Sequence, residues 1–555
     1  MSYPMLRTIH SPADLRKLTP GELEELCEEL RIFMQMEARP KAGHVHSSLG
    51  VVELTVALHF HFDTPDDILI WDVGHQSYAH KILTGRREAY AGIRTCNGIA
   101  GFTSREESPY DPFGTGHSST SISAAAGFAE AQRNSPQPRS IIAVIGDGAL
   151  TGGMAYEALN YLGERKLPVL VVLNDNFSSI DNNVGALAAY DSYQAFFEAL
   201  GWHYQFCAEG NELGILLGEI ELLEPITQPT VMHIITEKGQ GLLESFSAKT
   251  GASAYSYSTA LGEIMKVLMR QNEELRVVSP AMLSGGGLYG VKQLFPERVL
   301  DAGIAEQHAV TMAAGLAAAG VPVLCHLYAT FAQRAVDQII HDVALQNLPV
   351  LFCIDRAGIS GADGATHHGL WDTLLWEALP NLQLWEPENG EELASVLRHY
   401  LAQPTPLCIR YPKDITAPWS GEFQPAQPYW EDKRDGGTVV LSTGSLTGKL
   451  KPVCQEKEIS HIHVARLCPF PVQELAQVVK GFTKMVVWEE HIEGGTPLKN
   501  GVEAVLKELE NPPAEVHYRH LPAEFTGHGS RAEWLAHYGL DAEGLRQWWQ
   551  NVIRK

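Results

Sequence analysis

Between Ser140 and Asn176 the sequence alternates a β-branched run, Ile141 to Ile145, a helical stretch, Thr151 to Leu162, and a second apolar run, Val169 to Leu173. Two apolar strands joined by a helix read as parallel neighbours, because an antiparallel pair needs only a tight turn. The right-handed crossover brings both C-terminal strand ends to one edge of the sheet. This unit commits the chain to an α/β fold with mainly parallel sheets. It also sets Gly146 to Gly148 beside Asn174 to Asn176.

At 555 residues the chain exceeds what one hydrophobic core supports. The βαβ unit, with the helices and Gly-His turns before it, defines a first block at 1–245. Polar Ser/Thr/Gly-rich sequence over 246–260 reads as a linker. A second α/β block, 261–416, has strands expected at Arg298–Leu300, Val321–Leu327, Pro349–Ile354, Leu382–Trp385 and Leu407–Tyr411. Amphipathic helices are expected between them at 307–319, 331–346, 371–379 and 390–402. Pro- and Trp-containing sequence over 417–437 reads as a second linker. The third block, 438–555, has strands expected near Val439, His463 and Val486 and helices near Val502–Leu509 and Arg531–His537.

The net charge of −24, from 42 basic and 66 acidic residues, argues against a broad cationic surface for nucleic acid or anionic lipid. An anionic substrate therefore has to meet a local positive cluster. Eight cysteines without a C-x-x-C pair or metal-ligand spacing read as buried small hydrophobes in a reducing compartment. Met1 to Lys17 lacks the apolar run of a secretory signal. Ala309 to Cys325 is broken by Gly315, Gly320 and Pro322 and reads as a core helix followed by a strand, with no membrane span. The expected location is cytoplasmic.

Gly146-Asp147-Gly148 falls where the first strand ends and its helix begins, where unpaired backbone N–H groups and the helix dipole favour a phosphate. Asn176, at the end of the neighbouring strand, lets Asp147 and Asn176 offer oxygen to one hard cation. Alone, Gly-Asp-Gly is also the composition of a plain turn. A G-x-G-x-x-G fingerprint fits poorly, because the sixth residue is Thr151 and Asp147 would repel a metal-free pyrophosphate. The pair resembles the Mg²⁺ and diphosphate motif of thiamine diphosphate enzymes.

Further motifs extend that resemblance: Ser47-Ser48-Leu49-Gly50-Val51-Val52-Glu53-Leu54-Thr55, Trp71-Asp72-Val73-Gly74-His75-Gln76, His80-Lys81-Ile82-Leu83-Thr84-Gly85-Arg86, Gly116-His117-Ser118-Ser119-Thr120, Gly303-Ile304-Ala305-Glu306-Gln307-His308-Ala309, Asp355-Arg356-Ala357-Gly358 and Gly361-Ala362-Asp363-Gly364. In this order they resemble the 1-deoxy-D-xylulose-5-phosphate synthase family of transketolase-like enzymes over nearly the whole chain. The resemblance implies a three-domain transketolase-like fold: a diphosphate-binding domain, a pyrimidine-binding domain and a C-terminal domain, paired as a homodimer. It implies thiamine diphosphate and Mg²⁺ as cofactors, with pyruvate and glyceraldehyde 3-phosphate as substrates.

Residue by residue, it assigns cofactor contacts to His44, Gly116, His117, Ser118, Gly146, Asp147, Gly148, Ala149, Asn176, Glu306 and Phe331. Metal ligands are Asp147, Asn176 and Ser178. Glu306 would favour the imino tautomer of the aminopyrimidine, and Phe331 would stack on that ring. His44, His80 and His117 would surround the thiazolium and the substrate carbonyls; His75 stays open between this role and a structural one. Tyr328, Arg356, Asp363, His367 and Arg410 would hold the acceptor, the two arginines clamping its phosphate. His367 joins Glu306, His44 and His80 among the catalytic residues.

Three departures concern substrate handling. The family's long segment after Asn183-Val184-Gly185-Ala186-Leu187 is nearly absent, and Phe196-Phe197-Glu198 follows almost at once. Glu209-Gly210-Asn211-Glu212 replaces Asp-Gly-His-Asp. No histidine lies between His233 and His308, where the family has a linker histidine after Lys238-Gly239-Gln240-Gly241. Three readings follow: an active deoxyxylulose phosphate synthase, a transferase of the same fold with another donor or acceptor, and a cofactor-binding paralogue without turnover.

Overall fold

The computed structural model describes residues 3–38, 43–177, 183–187, 193–243, 254–434 and 436–553. These form two compact units, Met1–Ser253 with Gly303–Ala305, and Ala254–Ala302 with Glu306–Lys555.

The first unit is built on a parallel sheet of β1 (Ile68–Trp71), β2 (Ile141–Gly146), β3 (Leu170–Asp175), β4 (His203–Cys207) and β5 (Thr230–Ile235), in the order β1-β2-β3-β5-β4. The expected βαβ unit is there: helix Gly153–Arg165 connects β2 to β3, and Ile142 pairs with Leu170. Alternate residues feed two cores. Ile142, Val144, Leu170 and Val172 face the helices Pro20–Glu37 and Val52–His61, and Ile141, Ala143, Ile145, Val171 and Leu173 face Ser121–Ala131 and Gly153–Arg165. Burial on both faces explains why the strands are apolar throughout. Each such side chain contributes roughly 1.5–3 kcal/mol.

The second unit holds two sheets. One contains β6 (Arg276–Ser279), β7 (Val299–Asp301), β8 (Val323–Tyr328), β9 (Val350–Asp355), β10 (Gln383–Trp385) and β11 (Leu407–Tyr411), all parallel to their neighbours in this set. The other contains β12 (Tyr429–Asp432), β13 (Thr438–Ser442), β14 (Ser460–Val464), β16 (Lys484–Ile492) and β17 (Glu515–Leu521), parallel except for the edge pair β12–β14. Strand β15 (Arg466–Cys468) leaves the second sheet's sequence to pair antiparallel with β10. The expected core helix is Glu306–Ala318, whose buried face is Ala309, Val310, Ala313, Ala314 and Ala317, and β8 follows it. Helix Gly390–Ala402 matches its expected range, opened by Asn389 accepting from the Glu392 amide at 3.0 Å.

Other elements differ. The helix expected over 331–346 is a succession of short turns, Ala329–Ala332, Gln333–Ala335, Val336–Gln338 and the wider turn Ile339–Ala344. Helix Tyr257–Gln271 starts inside sequence read as linker, and β12 lies inside the other. Among the cysteines Cys96 is exposed and Cys468 half-buried, while the other six are buried as expected.

Candidate functional site

In the first unit β1, β2 and β3 end together, with Trp71 opposite Val144 and Gly146 opposite Asn174. Asp72, Asp147 and Asn174 to Asn176 therefore come to one edge. The Asp72 carboxylate accepts from the amides of Ser119 (2.7 Å) and Ser121 (3.0 Å), which fixes the turn carrying Gly116, His117 and Ser118. Ser119 Oγ then donates to the Ala149 carbonyl at 2.7 Å, tying that turn to the one after β2. A Cβ on Gly152 would strike the Ser119 side chain, and a Cβ on Gly146 would meet nothing within 4 Å. The edge is thus closely packed behind and open at Gly146.

Asp147 is 4% exposed and accepts from Asn183 Nδ2 at 2.6 Å and from the Gly148 amide at 2.9 Å. Burial, and then the neighbouring Asp175, push its carboxyl up to about 7. Burial opposes ionisation of Asp175 too, but hydrogen bonds with His233 and Asp147 hold it below its ordinary value. His233 bonds Asp175 Oδ2 at 3.1 Å and the Tyr204 hydroxyl at 2.8 Å. Asn176 Oδ1 and Asn183 Oδ1 are buried without a hydrogen-bond partner. Oxygen acceptors outnumber donors here, a deficit that one hard divalent cation corrects. Among the described residues no cluster of three His, Cys, Asp or Glu side chains could hold a metal, so this mixed carboxylate and amide set is the better cation site. It fits Mg²⁺ at a diphosphate. Ser178, the third expected ligand, lies outside the described residues.

His44 caps helix Val45–Leu49 in the left-handed conformation (φ 67°), its ring 5.8 Å from that of His75 and 5.9 Å from Phe102. Burial, and then Lys238, hold His75 at about 4, so it is a neutral imidazole, and its Nδ1 has no partner.

In the second unit Tyr328, at the end of β8, pairs in register with Asp355, at the end of β9. Arg356 follows with φ 63°, which turns its guanidinium back over the Tyr328 ring, 3.5 Å from the centroid, and onto Asp355 Oδ2 at 2.7 Å. Phe331 stacks on Tyr328 (5.8 Å, 22°) and meets His367 edge-on (5.5 Å, 79°). Asp363 opens the turn Gly364–Thr366 that leads to His367. Tyr328, Phe331, Arg356 and His367 are thus brought together. Glu306 begins its helix, 4% exposed, and burial raises its carboxyl against the opposing pull of Arg334, 3.6 Å away. A partly retained proton on a buried carboxyl is what sharing one with a pyrimidine nitrogen requires.

Residues 6–193 match the family model described as 1-deoxy-D-xylulose-5-phosphate synthase, and residues 253–418 match that of the transketolase pyrimidine binding domain. The chain is 38% identical to the 1-deoxy-D-xylulose-5-phosphate synthase of Thioalkalivibrio sulfidiphilus, over 98% of this chain and 94% of the relative. It is 39% identical to that of Aromatoleum aromaticum, over 98% and 97%. The chain belongs to the 1-deoxy-D-xylulose-5-phosphate synthase family. A solved transketolase from Leishmania mexicana is similar at 16% identity, covering 94% of this chain and 96% of its own, with a TM-score of 0.43. As a member of the synthase family the chain is a transketolase-like transferase, and the family implies thiamine diphosphate as its cofactor.

Two expected roles do not fit this synthase-family structure. His80 is fully buried, with Nε2 on Asp111 (2.8 Å) and Nδ1 on His59 (2.9 Å), so no ring nitrogen is left for a substrate. It belongs to a buried lattice in which Arg86 also bonds Asp111 and Lys81 bonds Glu107 (2.5 Å). Arg410 is 2% exposed and its donors are committed to both Asp372 oxygens (2.8 and 3.1 Å), to Glu386 and to the Gly369 carbonyl (3.0 Å). Its charge is neutralised internally, so the two-arginine clamp reduces to Arg356.

Several site residues were not singled out from sequence. Asp72 and Asp175 lie inside quoted motifs, between residues that were assigned roles. Arg334 has no sequence signal, because only the turn after β8 carries it to Glu306.

Proposed function

We propose that this chain condenses pyruvate with glyceraldehyde 3-phosphate to 1-deoxy-D-xylulose 5-phosphate and carbon dioxide. The near full-length identity to synthases of that name carries the reading. The bond to the pyruvate carboxylate breaks, carbon dioxide leaves, a carbon–carbon bond forms to the aldehyde carbon, and the aldehyde oxygen takes up a proton. Thiamine diphosphate, when bound, would supply the carbon nucleophile.

In the first unit Asp147 and Asn176 would hold Mg²⁺ at the diphosphate, supported by the buried Asn176 Oδ1 that lacks a partner. Gly116, His117, Ser118, Gly146, Gly148 and Ala149 would approach the diphosphate, and His44 the reacting carbonyl. In the second unit Glu306 would exchange a proton with the aminopyrimidine and Phe331 pack on it. Arg356 would bind the acceptor's phosphate, with Tyr328, Asp363 and His367 orienting the aldehyde end. A homodimer, the domain division at 1–245, 261–416 and 438–555, and a cytoplasmic location belong to the same proposal.

The short segment after Leu187 and the missing histidine between His233 and His308 favour one alternative, a transferase with another acceptor. Product identification separates the two. Purified protein with thiamine diphosphate, Mg²⁺, pyruvate and glyceraldehyde 3-phosphate is expected to yield deoxyxylulose phosphate. Carbon dioxide released with a different product would establish the alternative, and no carbon dioxide would mean a paralogue without turnover.

A further inference from the structure

Asp355, Tyr328 and Tyr411 form a row across three neighbouring strand ends, since Asp355 pairs in register with both Tyr328 and Tyr411. Register partners on parallel strands project to the same face, and His326, two residues before Tyr328, shares it. The Asp355 carboxylate, 0% exposed, is the centre of the group. Its Oδ2 accepts from Arg356 Nη1 (2.7 Å) and from Ser258 Oγ (2.9 Å).

Two further donors flank it without reaching it. His326 Nε2 stands 3.7 Å from Asp355 Oδ2, outside hydrogen-bond range, and has no other partner, while Nδ1 meets Ser279 Oγ at 3.2 Å. The Tyr411 hydroxyl is buried without a partner, although its ring is fixed by stacking on Tyr257 (5.9 Å, 11°) and its carbonyl accepts from the Ala357 amide at 3.0 Å. Burial raises the Tyr411 phenol well above its ordinary value, so it is a neutral donor. Leaving two buried groups unsatisfied beside one carboxylate costs free energy that ordinary packing does not explain.

We propose that Tyr411 and His326 are positioning residues that take over the Asp355 carboxylate when Arg356 turns from it to the phosphate of the acceptor. Without them, release of Arg356 would strand a buried carboxylate, and the arginine would stay on Asp355 instead of serving the substrate. In this arrangement Asp355 keeps Arg356 ordered in the free protein, and the two reserve donors lower the cost of letting it go. Bonds break and form only between hydrogen-bond partners, and no proton changes owner. The inference rests on Arg356 as the phosphate ligand, which is part of the function proposed above.

The test is a double-mutant cycle between Tyr411→Phe and Asp355→Asn, because Phe removes only the hydroxyl and Asn removes the charge that needs a replacement donor. In the wild-type background, Tyr411→Phe is expected to lower by about tenfold the ratio of kcat/KM for glyceraldehyde 3-phosphate over unphosphorylated glyceraldehyde, through KM. In the Asp355→Asn background the same change should have no effect. In the absence of ligand Tyr411→Phe should melt at the same or a higher temperature than wild type, since the hydroxyl it loses has no partner. Inorganic phosphate as a calorimetric probe should repeat the pattern independently of turnover. An unchanged ratio with unchanged phosphate affinity overturns the exchange, and so does a loss that persists in Asp355→Asn, which would mean direct contact between Tyr411 and phosphate. If the phosphate titration shows the pattern and no deoxyxylulose phosphate forms, only the acceptor reading fails.

Discussion

Asp147 and Arg410 occupy the same kind of place, the C-terminal end of a parallel strand, and both are almost fully buried, yet their surroundings are opposite. Around Asp147 the acceptors are in surplus: a second carboxyl at Asp175 and the unpartnered Oδ1 atoms of Asn176 and Asn183. Around Arg410 the charges are matched, with Asp372, Glu386 and the Gly369 carbonyl taking its donors. A buried charge at a strand end is therefore no sign of a ligand by itself. The sign is the imbalance left when the protein's own groups have been paired.

That contrast breaks first at Arg410. Replacing it with Ala leaves Asp372 and Glu386 buried without their cation, which should cost on the order of 3–5 kcal/mol of stability. Thermal or denaturant melting of Arg410→Ala measures it. Were Arg410 a substrate ligand held in surplus, the variant would keep its melting temperature and lose only affinity for the phosphorylated acceptor.

Asp147 should behave in the reverse sense. Asp147→Ala removes one of two crowded carboxyls, so the metal-free protein should melt no lower than wild type. Mg²⁺-dependent binding of thiamine diphosphate should weaken by about a hundredfold or more, since even outer partners of a metal are worth 10–100-fold. Calorimetric titration of the variant with the cofactor, with and without Mg²⁺, reads both. Unchanged binding would remove the metal from this edge.

The same contrast marks what was legible in the sequence. The βαβ unit was readable because its strands are buried on both faces and so appear as unbroken apolar runs, and Leu407–Tyr411 and Gly390–Ala402 were readable for their period and their Asn389 cap. Strand β6, four residues long, and β12, half-exposed with charged residues, carry too little pattern to be seen. Asp147, Glu306, Tyr328 and Arg356 could be placed because short motifs fix them to strand and helix ends. The roles of His80 and Arg410 could not be judged that way. Their partners Asp111, 31 residues away, and Asp372 and Glu386, 38 and 24 residues away, meet them only through the tertiary fold. A motif gives the position of a charged residue, and long-range packing decides whether its charge is spent.

The balanced region also has a pH limit, and this is the smallest of the expected effects. His491 bonds Glu386 Oε1 through Nε2 (2.8 Å) and Glu489 Oε2 through Nδ1 (2.6 Å), and Arg410 Nη1 lies 3.0 Å from its Nε2. Burial and the Arg410 charge oppose protonation of the imidazole, but Glu386 and Glu489 outweigh them and bring it up to about 10. The folded protein therefore binds this proton where the unfolded chain, with its ordinary value near 6.5, has lost it. The stability it contributes is complete below about pH 6.5 and is lost as pH rises through about 10, at up to about 1.4 kcal/mol per pH unit in between. Glu386, brought down to about 2 by His491 and Arg410 despite burial, gives the mirror limb: its contribution is complete above about pH 4.5 and is lost as pH falls toward 2. Denaturant melts of wild type and His491→Gln at intervals from pH 6 to 10 isolate the alkaline limb, because every other titrating group is common to both proteins. The difference between the two curves should shrink steadily with rising pH. A constant difference would show that His491 is neutral in the folded state, and that the carboxylates at this junction are balanced by Arg410 alone.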